Sequence, residues 1–288
     1  MFAIINKELR SFFSSMLGYA IIAFYMIVLG IYFVMINCLQ QLGHFEYTLS
    51  SISFMFIVLI PILTMKSLAD ERKNRTDQLL LTSPISVEKV VAGKYIGTLS
   101  VYLIAMAITC VYPLILGRYS DEINYKIAYA SILGFTLLGA AYIAMGMFIS
   151  SLTENSVISA VVTFITVLLT YLMASLASAL PNDNMTVWLV YAVLFLVLCI
   201  IFYALVKNFF ITGIVAIIGE AILTIIYVAK PKMYDGALVA LAEKLGVLKP
   251  YQNIMSGSLN AADILYYVSV IAIFLFLTIQ SIKKRRWN

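Results

Sequence analysis

The residues with the most scope for chemistry are the charged ones, and they are scarce. Asp, Glu, Lys and Arg make up 11% of the 288 residues, against 63% hydrophobic. Much of that charge sits in one stretch between two apolar runs, KSLADERKNRTDQLLLTSPISVEKVVAGK at residues 66–94. Asp70 and Glu71 precede Arg72, Lys73 and Arg75 at helical spacing, so Asp70–Lys73 and Glu71–Arg75 pairs are expected along one helix. Thr76, Asp77 and Gln78 lead into an apolar triplet, Leu79, Leu80 and Leu81, and Thr82-Ser83-Pro84 then breaks the helix. Ser86 is placed to cap the next helix, with Glu88 in its first turn where the dipole favours an acid. Such a charged helix–turn–helix carrying a stranded apolar triplet reads as a docking surface for a soluble partner. A solvated loop is the simpler alternative.

A second chemical candidate is Glu220, in the apolar run IVAIIGEAILTII. An ionisable residue in a membrane span costs about 2.5–3.5 kcal/mol on insertion scales, so it is either functional or well satisfied. A proton or cation site, a polar contact for a substrate, and a glutamate hydrogen-bonded to a neighbouring helix all fit it. The rest of the inventory argues against catalysis. The chain has no GxxxxGK[ST] loop, no HExxH and no nucleophile elbow. His44 is the single histidine, and Cys38, Cys110 and Cys199 form no CxxC pair and read as small buried hydrophobes. No catalytic residue, metal ligand or cofactor of its own is expected, and a net charge of +5 does not call for nucleic acid.

These residues must be positioned by membrane helices. A mean hydropathy of +1.00 over the whole chain defines an all-α polytopic membrane protein, because continuous apolar runs exclude an alternating β-barrel pattern. About eight runs approach the roughly 20 residues that cross a bilayer: 17–36, 51–65, 96–116, 128–150, 157–180, 187–206, 209–229 and 264–282. The run after Arg10 reads as a first span rather than a cleavable signal. Lys7, Arg10, the 66–94 lysines and arginines, Lys207 and the Lys283–Arg286 tail fall on one side of such a topology, so both termini are expected in the cytoplasm. Residues 1–16 form an interfacial amphipathic helix, with Phe2, Ile5, Leu9, Phe12, Phe13 and Met16 on one face and Asn6, Lys7, Arg10, Ser11 and Ser14 on the other. The segment 230–263 is the one sizeable outside region, with a short helix expected at 237–248 and an exit marked by Pro250 and Gly257. The fourth span is rich in small residues, Ser131, Gly134, Gly139, Ala140, Ala141, Ala144 and Gly146, which favours close packing within the subunit.

Four stretches resemble one family. ADERKNRTDQLLLTSPIS resembles the cytoplasmic motif of ABC-2 type transporter permeases, and looks closest to the gliding-motility and nitrous-oxide-reduction subgroup. INKELRSFFSSMLGYAI, GMFISSLTENSVISAVVTF and FLFLTIQSIKKRRW resemble, in the expected order, that subgroup's opening helix with its first span, its turn between the fourth and fifth spans, and its carboxyl end. The sequence departs from the motif at Arg75, where glycine is usual, at Gln78, where an acid is usual, and at Ser156, where glutamine is common. The resemblance implies a single permease domain over 1–288 with a six-span core; 183–229 departs from it and reads as an added helical hairpin or a partly re-entrant pair. Residues 66–95 would be the coupling region, with Asp70, Glu71, Arg72, Arg75, Thr76, Leu79, Leu80, Leu81, Thr82 and Pro84 facing an ATP-binding subunit.

It further implies an exporter in the bacterial inner membrane, working as a homo- or heterodimer of permease subunits. ATP and Mg would be held by the separate ATP-binding subunit, and this chain would be no enzyme. Two alternatives stay open: a membrane scaffold or sensor recruiting a partner that is not an ATPase, and an ATP-independent secondary transporter centred on Glu220.

Overall fold

The computed structural model describes residues 1–76, 86–120, 123–179, 183–206, 213, 216–221, 224, 225, 227, 236–240, 246–258 and 260–286. All regular structure among them is helical. The elements are α1 (Phe2–Ser14), α2 (Leu17–Phe33) continued by a π-helical turn (Val34–Leu39), α3 (Phe45–Ile52), α4 (Phe56–Thr64), α5 (Ala69–Lys73), α6 (Val87–Thr109), α7 (Tyr112–Leu116), α8 (Tyr125–Leu152), α9 (Ser156–Ala179), α10 (Asn184–Val206), α11 (Leu248–Met255) and α12 (Ala261–Arg286).

Among the described residues, six stretches are long and apolar enough to cross a membrane: Leu17–Leu39, Phe45–Lys73, Val87–Leu116, Tyr125–Leu152, Ser156–Met173 and Ala261–Lys284. Of the two further spans expected from sequence, the first falls on α10, and 209–229 lies largely outside the described residues. The second span is longer than 51–65. It starts at Phe45 and is broken by a 3₁₀ turn (Ser53–Met55) between α3 and α4. Polar residues hide this start in the sequence, but the fold satisfies them. The Thr48 hydroxyl donates to Asn37 Oδ1 at 2.6 Å, and Ser53 Oγ donates to the Ser50 carbonyl at 2.6 Å.

The chain divides into two compact units, Met1–Tyr171 with Val247–Asn288, and Leu172–Gly246. In the first, α8 is the central helix. Its most apolar window is 72% buried, against 17% for the corresponding window of α12, because its small residues admit neighbours at close range. A Cβ on Gly139 would lie 2.5 Å from Tyr102 Cζ, and one on Gly134 would lie 3.1 Å from Ile254 Cγ2. Tyr102 and Tyr95 send their hydroxyls to α8 carbonyls, those of Phe135 at 2.8 Å and Ala140 at 3.1 Å. The small residues of this span therefore serve packing inside the subunit. In the second unit, Val187 and Leu238 form a small apolar cluster, and Trp188 stacks on Tyr227 at 5.4 Å.

Two local expectations change. Pro250 does not mark an exit. It lies in the first turn of α11, where its missing N–H has no helical partner to lose. Of the helix expected at 237–248, residues 237–240 are helical and 241–245 lie outside the described residues.

Candidate functional site

The charged stretch folds back onto the helix bundle instead of standing off as a loop. α5 is five residues long, too short to be stable alone, so its ends depend on tertiary partners. At its start, Ser150 Oγ at the end of α8 accepts from the Leu68 N–H at 3.2 Å and the Ala69 N–H at 3.1 Å. A side chain 82 residues away in sequence thus does the work of an N-cap. At its end, the Thr76 N–H donates to the Glu71 carbonyl at 2.9 Å and the Arg75 N–H to the Arg72 carbonyl at 3.0 Å. This is a Schellman turn, and it places Arg75 at φ +56°, the left-handed region that glycine adopts most easily. The departure from glycine noted in the sequence therefore falls on a backbone position with a physical preference for glycine.

Glu71 does not pair along its own helix with Arg75. It turns inward. Lys94, in the second turn of α6, is 1% exposed, and its Nζ lies 2.6 Å from Glu8 Oε1, 2.9 Å from Glu71 Oε2 and 2.8 Å from the Ser67 carbonyl. The three acceptors match the three N–H bonds of the ammonium. The other Glu71 oxygen accepts from Lys7 Nζ at 3.0 Å, so two carboxylates and two ammoniums balance. Glu8 reaches this position because α1 crosses α6 over Gly93 and Gly97. A Cβ on Gly97 would lie 2.7 Å from Glu8 Cβ, and one on Gly93 would lie 3.1 Å from Ile4 Cβ. The buried face of α1 is consequently Ile4, Glu8 and Phe12, while Phe2 and Met16, expected on the apolar face, are exposed.

Arg72 points the other way. Its Nη1 donates to the Ser151 carbonyl at 3.1 Å and its Nη2 pairs with Glu154 at 2.8 Å. Lys283 on α12 pairs with Glu88 at the start of α6. Ser86 occupies the N-cap of α6 as expected, but its hydroxyl makes no capping bond. Segment 67–76 is thereby tied to α1, α6 and the α8–α9 turn, and it presents Lys73, Asn74, Arg75 and Thr76 outward.

The candidate residues thus separate. Glu71 and Arg72 face the bundle, Asp70 is half-buried, and Arg75 and Thr76 are exposed. Lys7 belongs to the charge cluster, and Arg10 is exposed on α1. Leu79, Leu80, Leu81, Thr82 and Pro84 lie outside the described residues. Glu220 is half-buried in the second unit, and its Oε1 has no hydrogen-bond partner among the described residues. Glu8, Lys94 and Ser150 are central here and were not legible as site residues. The Gly93-x-x-x-Gly97 spacing and the i, i+4, i+8 series Ile4, Glu8, Phe12 are the signals that point to them.

The family model for ABC-2 family transporter proteins matches residues 39–230, about two thirds of the chain. The chain belongs to the ABC-2 transporter family. It is a permease component of an ABC transporter and a multi-pass membrane protein. No curated protein matches it significantly. The family match spans Glu71, Lys94 and Ser150 but neither Lys7 nor Glu8, so the Glu8–Lys94 and Lys7–Glu71 pairs join α1 to the matched region.

Proposed function

We propose that this ABC-2 permease is the membrane subunit of a bacterial inner-membrane exporter of the kind that includes the gliding-motility and nitrous-oxide-reduction permeases. It pairs with a second permease subunit and is driven by a separate ATP-binding subunit carrying ATP and Mg. The basic end, with both termini, faces the cytoplasm. The ATP-binding subunit docks on the region 66–95, touching the outward residues Lys73, Arg75 and Thr76. The observation that carries this reading is the anchoring of 67–76. A segment held by Lys94 of α6 and by Ser150 and the Ser151 carbonyl of α8 passes a push to two membrane helices, which a solvated loop does not do.

Purification of the tagged chain from its native host in mild detergent tests this. An ATP-binding subunit is expected to co-purify and to turn over ATP, and to be lost on Lys73→Glu with Arg75→Glu, which leave the buried contacts intact. A chain that purifies alone, or with a partner lacking ATPase activity, overturns the reading and brings Glu220, whose Oε1 has no hydrogen-bond partner among the described residues, to the front.

A further inference from the structure

The charge cluster is a chain of contacts with one removable link. Lys94 touches Glu8 and Glu71, and Glu71 touches Lys7. Lys7 and Glu8 are neighbours on α1. The four groups therefore divide into two neutral pairs, Lys94 with Glu8 and Lys7 with Glu71. If Glu71 withdraws from Lys94, the buried ammonium keeps Glu8 at 2.6 Å. The carboxylate keeps Lys7, whose side chain is 60% exposed and long enough to follow it. Neither charge is left buried without a partner, which is what makes breaking an ordinary buried ion pair so costly. The start of the segment stays held, by Ser150 on the Leu68 and Ala69 amides and by Lys94 on the Ser67 carbonyl at 2.8 Å, and this sets the point about which the rest of it turns.

We propose that Lys94 is a positioning residue at the centre of a separable latch. Through Glu71 it seats segment 67–76 against α6, and through Glu8 it holds α1. The segment can part from α6 while remaining tethered to α1 through Lys7. The assignment rests on the reading of 66–95 as the docking region. Release of the Lys94–Glu71 contact is the step that lets a push on the segment become movement relative to the third span.

Hydrogen exchange on the full chain in phospholipid nanodiscs tests the latch without any partner subunit. Glu71→Gln is expected to speed exchange of the 67–76 amides by at least about tenfold and to leave those of α1 unchanged. Glu8→Gln is expected to do the reverse, and Lys94→Met to loosen both. Equal loosening of both segments by Glu71→Gln, or no change in either, overturns the proposal. Should Lys94→Met fail to fold, the two glutamine variants still decide.

A second reading uses the complex with the ATP-binding subunit. ATP is expected to accelerate exchange over 67–76 by about threefold or more in the wild type and by less in Glu71→Gln, where the charge that strengthens the contact is already gone. A response that persists undiminished in Glu71→Gln overturns the latch. A failure to recruit any ATP-binding subunit overturns the functional reading instead, and leaves the nanodisc pattern to be judged by itself.

Discussion

Replacing Ser150 with alanine tests whether α5 owes its existence to the end of α8. The Ser150 hydroxyl accepts two backbone N–H bonds, from Leu68 at 3.2 Å and Ala69 at 3.1 Å. Both donors belong to buried residues, Leu68 at 7% and Ala69 at 0% exposure, so water does not take over readily. Loss of a capping side chain costs about 0.5–2 kcal/mol. A second buried N–H left unsatisfied adds about 1–3 kcal/mol. The overlap of the two terms, and some relaxation, puts the expected loss at about 2–4 kcal/mol, concentrated on the segment and not spread over the bundle. At tenfold per 1.4 kcal/mol, exchange of the amides in 68–76 should accelerate between roughly thirtyfold and several hundredfold.

The assay is native-state hydrogen exchange in nanodiscs, with Ser100→Ala alongside. Among the described residues, Ser100 Oγ bonds back to the Ile96 carbonyl of its own helix at 2.7 Å, so its removal should stay within about 0.5 kcal/mol. If Ser150→Ala behaves like Ser100→Ala, the tertiary cap contributes nothing and the account of α5 is wrong.

Three further outcomes follow from the same geometry. Lys94→Met leaves Glu8 and Glu71 facing each other without their shared cation, so it should destabilise the chain by about 3–5 kcal/mol, and adding Glu8→Gln should recover part of that loss in a denaturant double-mutant cycle. Arg75→Gly relieves a left-handed residue at φ +56° and should stabilise the Schellman turn by about 1 kcal/mol, read as slower exchange of the Thr76 amide. Gly97→Ala would set a Cβ 2.7 Å from Glu8 Cβ, so it should loosen α1 by about 1–3 kcal/mol and speed tryptic cleavage at Lys7 and Arg10. Gly213→Ala, whose Cβ would meet no atom of the described residues within 4 Å, is the matched control and should be neutral or better.

The membrane class and the order of the spans were legible because they rest on composition and on runs of apolar residues along the chain. The amphipathic character of α1 was legible too, but its inward face was not. A helical wheel groups Phe2 and Met16 with Phe12, whereas contact with α6 selects Ile4, Glu8 and Phe12. The pairing of the charged stretch was misread for a related reason. Spacing rules see partners three or four residues away, and favoured Arg75 for Glu71. The fold offers Lys7, 64 residues distant, and a buried Lys94 that presents its ammonium at closer range.

The sequence by itself determined what kind of protein this is: a multi-span helical chain with much of its scarce charge in the stretch 66–94. Those properties follow from the transfer free energies of residues taken one after another, which need no knowledge of which helix meets which. Tertiary structure alone decided that Glu71 faces inward, that Glu8 is buried, and that Ser150 caps a helix far from it in sequence. Each of these depends on two helices approaching closely, α1 over Gly93 and Gly97 and α5 against the end of α8. A polar group chooses its partner by distance and by exclusion of water, and both are properties of the packed bundle.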